Sequence, residues 1–106
     1  MFIDLDNPLA AEILHEAGEV YFAACKKMVA SLDALKAFDR DAASATRDNS
    51  HTRRRTELLE EAGERVHVVV IQREAMQLSG YEDFFADYKV PDEVRARMGP
   101  KRELNG

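Results

Sequence analysis

Apolar and polar positions alternate with helical spacing along most of the chain. The first stripe runs Leu14, Ala17, Tyr21, Ala24, Met28, Leu32, Leu35 and Phe38, in steps of three and four, which places these residues on one face of a helix. Asn7-Pro8 is a start signal, with Asn as N-cap and Pro at the first helical position, where its missing N–H costs nothing. Beyond it Ala, Leu, Glu and Lys dominate and Gly18 is the sole Gly or Pro, so a helix is expected over 8–45. At about 1.5 Å per residue it would be roughly 55 Å long. Ala10, Ala17, Ala24 and Ser31 recur along it at intervals of seven, beside Gly18 and Cys25. Small residues on a seam point to close packing of a second helix rather than to a ligand groove. Phe22 and Val29 fall off the stripe and suggest a second covered face.

Residues 46–52, Thr-Arg-Asp-Asn-Ser-His-Thr, read as a turn, because Asp, Asn and Ser compete with the backbone for hydrogen bonds. A second helix is expected over 53–79, stopped by Gly80, with Leu58, Leu59, Ala62, Val66, Val69 and Met76 inward. Its centre, Val66-His-Val-Val-Val-Ile71, is apolar in every direction, and a helix of that kind has to be covered all round. The run is β-branched and could be a strand. Helix-forming flanks, and the lack of a second strand to pair with, favour the helix.

The two helices make an antiparallel hairpin with unequal arms. A short arm, 1–7, precedes it. A helical cap is expected over 81–98, interrupted at Val90-Pro91 and ended by Gly99-Pro100, with a frayed tail over 99–106. The cap would fold over the start of the first helix, setting Phe84, Phe85, Tyr88, Val94 and Met98 near Ile13, Val20 and Phe22. Val68 and Ile71, on the back of the second helix, then need the tail, a second copy, or both. A hairpin and a cap make a thin core, and dimerisation into a four-helix bundle is the usual remedy. The fold class expected is all-α, a single domain, with Phe22, Val29, Val68 and Ile71 as interface residues.

Composition narrows the function classes. The 106 residues are 45% hydrophobic and 33% charged, with a net charge of −5, which describes a folded domain with no general attraction for nucleic acid or acidic membrane. Cys25 is the single cysteine, which excludes internal disulfides and multi-cysteine zinc sites. The acidic start Met-Phe-Ile-Asp-Leu-Asp lacks the basic region of a signal peptide, and no run reaches the ~18 apolar residues of a membrane span. A cytoplasmic protein is expected.

Candidate chemistry is sparse. Glu-x-x-His, a spacing that carboxylate-bridged di-metal bundles use, occurs at Glu12/His15 and Glu64/His67. The first pair lies with Glu16 and Glu19 opposite the apolar stripe, as a solvated face would. Glu60, Glu64 and His67 share the back face with Ile71, and two copies would bring four carboxylates and two imidazoles to a dimer axis, enough for a pair of divalent transition metals. Against that, Glu57, Glu60, Glu61 and Glu64 also read as an ordinary acidic helix face, with Glu61 and Arg65 at a favourable spacing. Arg53-Arg54-Arg55 could contact phosphate, but the hairpin turn also brings Asp39 and Asp41 within reach, which favours ion pairs. Arg73 sits on the inner stripe between Val69 and Met76, where a guanidinium needs a buried ion pair, with Glu82, Asp83 or Asp87 of the tail as candidates, or else a carboxylate ligand. Cys25 reads as a buried small apolar residue, not a nucleophile. No Ser-His-Asp arrangement, phosphate loop or cofactor fingerprint is present. The expectation is a dimeric helical interaction or assembly protein, without catalytic residues or cofactor. The alternatives are a metal-binding bundle through Glu60, Glu64 and His67, and a nucleic-acid-associated protein through Arg53–Arg55.

Overall fold

The computed structural model describes residues 8–42, 48–78 and 80–99, and leaves aside the side chains at 8, 10, 13 and 14. The arm 1–7, positions 43–47, Ser79, the segment 100–106 and the side chains of Ala10, Ile13 and Leu14 lie outside the described residues. What is described is all helical: α1 (Pro8–Ala42), α2 (Asn49–Ala75), α3 (Tyr81–Asp87) and α4 (Asp92–Arg95). The molecule is elongated, 60 × 32 × 22 Å, because α1 and α2 pack side by side as the two arms of a hairpin.

The helix ends follow local chemistry. α2 begins four residues before the expected start at 53, because Asp48 and not a later residue caps it. The Asp48 carboxylate accepts from the His51 backbone N–H at 2.9 Å, and its carbonyl accepts from the Thr52 N–H at 3.1 Å. At the other end α2 stops at Ala75, not 79. Gln77 takes φ 60°, and the Leu78 N–H bonds back to the Arg73 carbonyl at 2.8 Å while the Gln77 N–H reaches Glu74. This reversal closes the helix with a non-glycine residue in the left-handed region. The same closure recurs after α3, where Lys89 has φ 53°, the Val90 N–H bonds to the Phe85 carbonyl, and Pro91 follows. Gly80, expected as the stop of α2, instead opens α3. At φ 82° its carbonyl accepts from the Phe84 N–H.

The core lies between the arms and under the tail. Met28 and Leu35 from α1 and Leu58, Ala62, Val66 and Val69 from α2 are buried, with Tyr21, Ala24, Leu32 and Phe38 half-buried beside them. Cys25 and Ser31 are buried on the same side, as the seam of small residues requires.

The tail does form a cap, but not over the start of α1. After Gly80 the chain doubles back along the hairpin toward its closed end, and α4 packs on α2. Phe84, Phe85, Val90 and Val94 become buried with Leu59 and Val70, while Val20 and Phe22, the expected targets, stay 57% and 66% exposed. The register is set at Gly63. A Cβ there would overlap the Arg97 carbonyl oxygen and stand 2.7 Å from its carbon. A backbone can approach that closely only where a residue has no side chain.

Candidate functional site

The structure uses its charges first to hold the tail down. Arg55 of α2 half-faces solvent and forks in two directions. Its Nε and Nη2 donate to Asp39 of α1 at 2.8 and 2.9 Å, and Nη1 and Nη2 donate to Glu93 of α4 at 3.1 and 2.7 Å. Planar bidentate geometry of this kind is the strong form of the pair. The two carboxylates hold the guanidinium proton more tightly than usual, and Arg55, by hydrogen bond and charge, holds the Glu93 carboxyl below its ordinary range. The sequence places Asp39 near the arginines correctly. Glu93 is missed because its approach depends on the path of the tail. The other two arginines of the cluster are exposed. Arg54 pairs with Glu57 at 3.2 Å along its own helix, and Asp41 pairs with Arg40 at 3.7 Å.

Arg73 lies where α1, α2 and the tail meet. It is half-buried, donates to the Tyr21 hydroxyl at 3.0 Å, and stacks over the Phe84 ring at 4.8 Å from its centroid. An aromatic face and a phenol thus help to hold the guanidinium. Glu82, one of the three tail carboxylates expected for it, instead accepts from Arg95 at 3.0 Å, and Arg95 in turn stacks on Phe85 at 4.2 Å.

Glu60, Glu64 and His67 share the outer side of α2. Glu60 is turned to Arg97, at 3.5 Å, Glu64 is exposed and His67 half-buried. Among the described residues no three His, Cys, Asp or Glu side chains gather into a group that could hold a metal ion.

The four expected interface residues are all exposed, and they split between two regions. Val68 and Ile71 are 38% and 49% exposed, so the tail covers neither, and the run 66–71 is not enclosed on every side by its own chain. Val68 and Val20 line a shallow cavity of about 230 Å³ on the flank of the hairpin opposite the tail. Phe22 and Val29 lie on the tail's side of α1, and with Tyr21, Cys25, Lys26 and Tyr88 they line an apolar cavity of about 330 Å³. Loss of solvent, and next the Cys25 thiol, push the Tyr88 hydroxyl above its usual pKa. The Lys26 ammonium sits 5.8 Å above the Phe22 ring. These open apolar side chains are the most prominent surface feature of the described residues. Among the described residues no helix is long and apolar enough to cross a membrane. No protein-family model matches the sequence, and neither the curated proteins nor the solved structures hold a significant match to it.

Proposed function

We propose that this chain is an assembly module, a helical hairpin that works by pairing an open helix face with another helical surface in a homodimer. One observation carries the reading. The tail buries Phe84, Phe85, Val90 and Val94 on one side of the hairpin, yet Phe22 and Val29 beside it and Val68 and Ile71 on the back of α2 remain exposed. Large apolar side chains that a chain leaves open to water, with its own covering segment already committed, mark interaction surfaces. A cytoplasmic setting belongs to the same reading, in keeping with a chain whose single thiol is buried. The metal-bundle alternative draws no support from the placement of its residues, because Glu60 is directed to Arg97. Light scattering at micromolar concentration tests the proposal. The expected mass is twice that of the chain, and a monomer throughout the micromolar range would overturn it.

A further inference from the structure

We propose that the partner is a second copy of this chain, joined antiparallel along the outer face of α1 about a two-fold axis between residues 29 and 30. The inference rests on the assembly reading and adds to it the face, the orientation and the register.

Residues seven apart on a helix lie on nearly one line. On the side of α1 turned away from Met28 and Leu35, three such lines run in parallel. The middle one is Glu19, Lys26, Asp33 and Arg40, all exposed. One edge carries Phe22, Val29 and Lys36 and borders the tail, whose Tyr88 lines cavities with Phe22, Val29 and Lys36, and the other edge carries Ala23, Ala30 and Ala37. The middle line alternates in sign, negative, positive, negative, positive. A parallel two-fold pair would set each of these charges against its own kind. An antiparallel pair with its axis between 29 and 30 sets Glu19 opposite Arg40 of the second copy and Lys26 opposite Asp33. Symmetry repeats both, so every charge on the line meets its opposite.

The flanking lines agree with the same axis. Val29 lies beside Val29 of the second copy, and Phe22 meets the aliphatic stem of Lys36. The alanine edge lets the two helices approach closely, Ala30 beside Ala30 and Ala23 beside Ala37. The overlap from 19 to 40 is about 32 Å of helix at ~1.5 Å per residue. Among the described residues nothing competes strongly for the charges. Glu19 pairs with His15, one turn away, and Arg40 with Asp41, with all four side chains more than two-thirds exposed. Asp33 makes no ion pair with a described residue. The apolar contacts supply the attraction, and the charges select orientation and register.

The outer strip of α2 fails the same comparison. An antiparallel axis that brings Val68 to Ile71 of a second copy sets Glu64 against Ala75, a carboxylate facing an apolar group, and leaves Glu61 level with the chain beyond the end of α2.

Charge reversal tests the register, with circular dichroism to confirm that each variant stays helical. Lys26→Glu turns two attractive pairs into repulsive ones and is expected to weaken dimerisation about tenfold. Asp33→Lys should do the same. The double variant K26E/D33K restores opposite signs across the axis, and its dimer should return to within about threefold of wild type. A dimeric wild type that neither single reversal weakens, or that the double variant fails to restore, overturns this face and register and leaves the assembly reading standing. A monomeric wild type overturns the assembly reading itself.

Discussion

Val66 and Val70 are buried at 0% and 8% exposure, whereas Val68 and Ile71, from the same six-residue run, stay 38% and 49% exposed. Residue type does not separate these pairs, since three of the four are valines. What separates them is which side of α2 faces α1 and the tail, and the tail's side is fixed where the Arg97 backbone rests on Gly63. Apolar character therefore says that a face can be buried, and close backbone approach says which face is. The bare side is left for a partner or for water.

Truncating a tail anchor should break this asymmetry most severely. Phe84 is 3% exposed and supports the Arg73 guanidinium, so Phe84→Ala should cost about 3–5 kcal/mol by chemical denaturation. On the bare side, Ile71→Ser in dilute, monomeric protein should stay within about 0.5 kcal/mol of wild type. Equal losses would mean that the two sides are not different in kind.

A pair of glycine substitutions sharpens the comparison with effects of opposite sign. At Gly63 a methyl group would collide with the Arg97 backbone, so Gly63→Ala should lose about 1–3 kcal/mol although it improves helix propensity. At Gly18 a Cβ meets nothing within 4 Å, and Gly18→Ala should gain about 0.5–1 kcal/mol. Thermal melts of the two variants read both signs. A gain at Gly63 would remove the tail from α2.

The smallest effect is on the ion pair that ties α4 to the hairpin. Because the folded pKa of Glu93 is lowered, its stabilisation is complete above about pH 5 and disappears as pH falls through that lowered value. The Glu93 side chain is 49% exposed, so screening holds the effect to less than about 1 kcal/mol. Glu93→Gln should melt lower than wild type at pH 7 and approach it in acid. A gap that persists unchanged below pH 3 would mean that the pair is not what titrates.

The candidate surface was partly legible in the residues alone. Phe22 and Val29 stand off the main stripe of α1, and Asp39 falls near Arg55 once the turn is placed. Glu93 could not be matched to Arg55 in the same way, because 38 residues separate them and their meeting depends on the course of the tail. Gly63 did carry a signal. A glycine in the middle of a strongly helical stretch is unfavourable on its own helix and implies close backbone approach.

What the sequence determined by itself was local. Spacings of three and four, a run of good helix formers and the Asn7-Pro8 signal specify helices, since hydrogen bonds within a helix reach only four residues along the chain. The order of elements and the inward stripe of each arm follow from the same short-range rules. The point where α2 ends is also local, closed by the turn at Gln77 before Gly80 is reached. The tertiary structure decided the side the tail covers, along with the pairing of Arg55 with Glu93 and of Arg73 with Tyr21 and Phe84. Each of these depends on two segments distant in sequence arriving at one place, and periodicity within one segment carries no information about where another will lie.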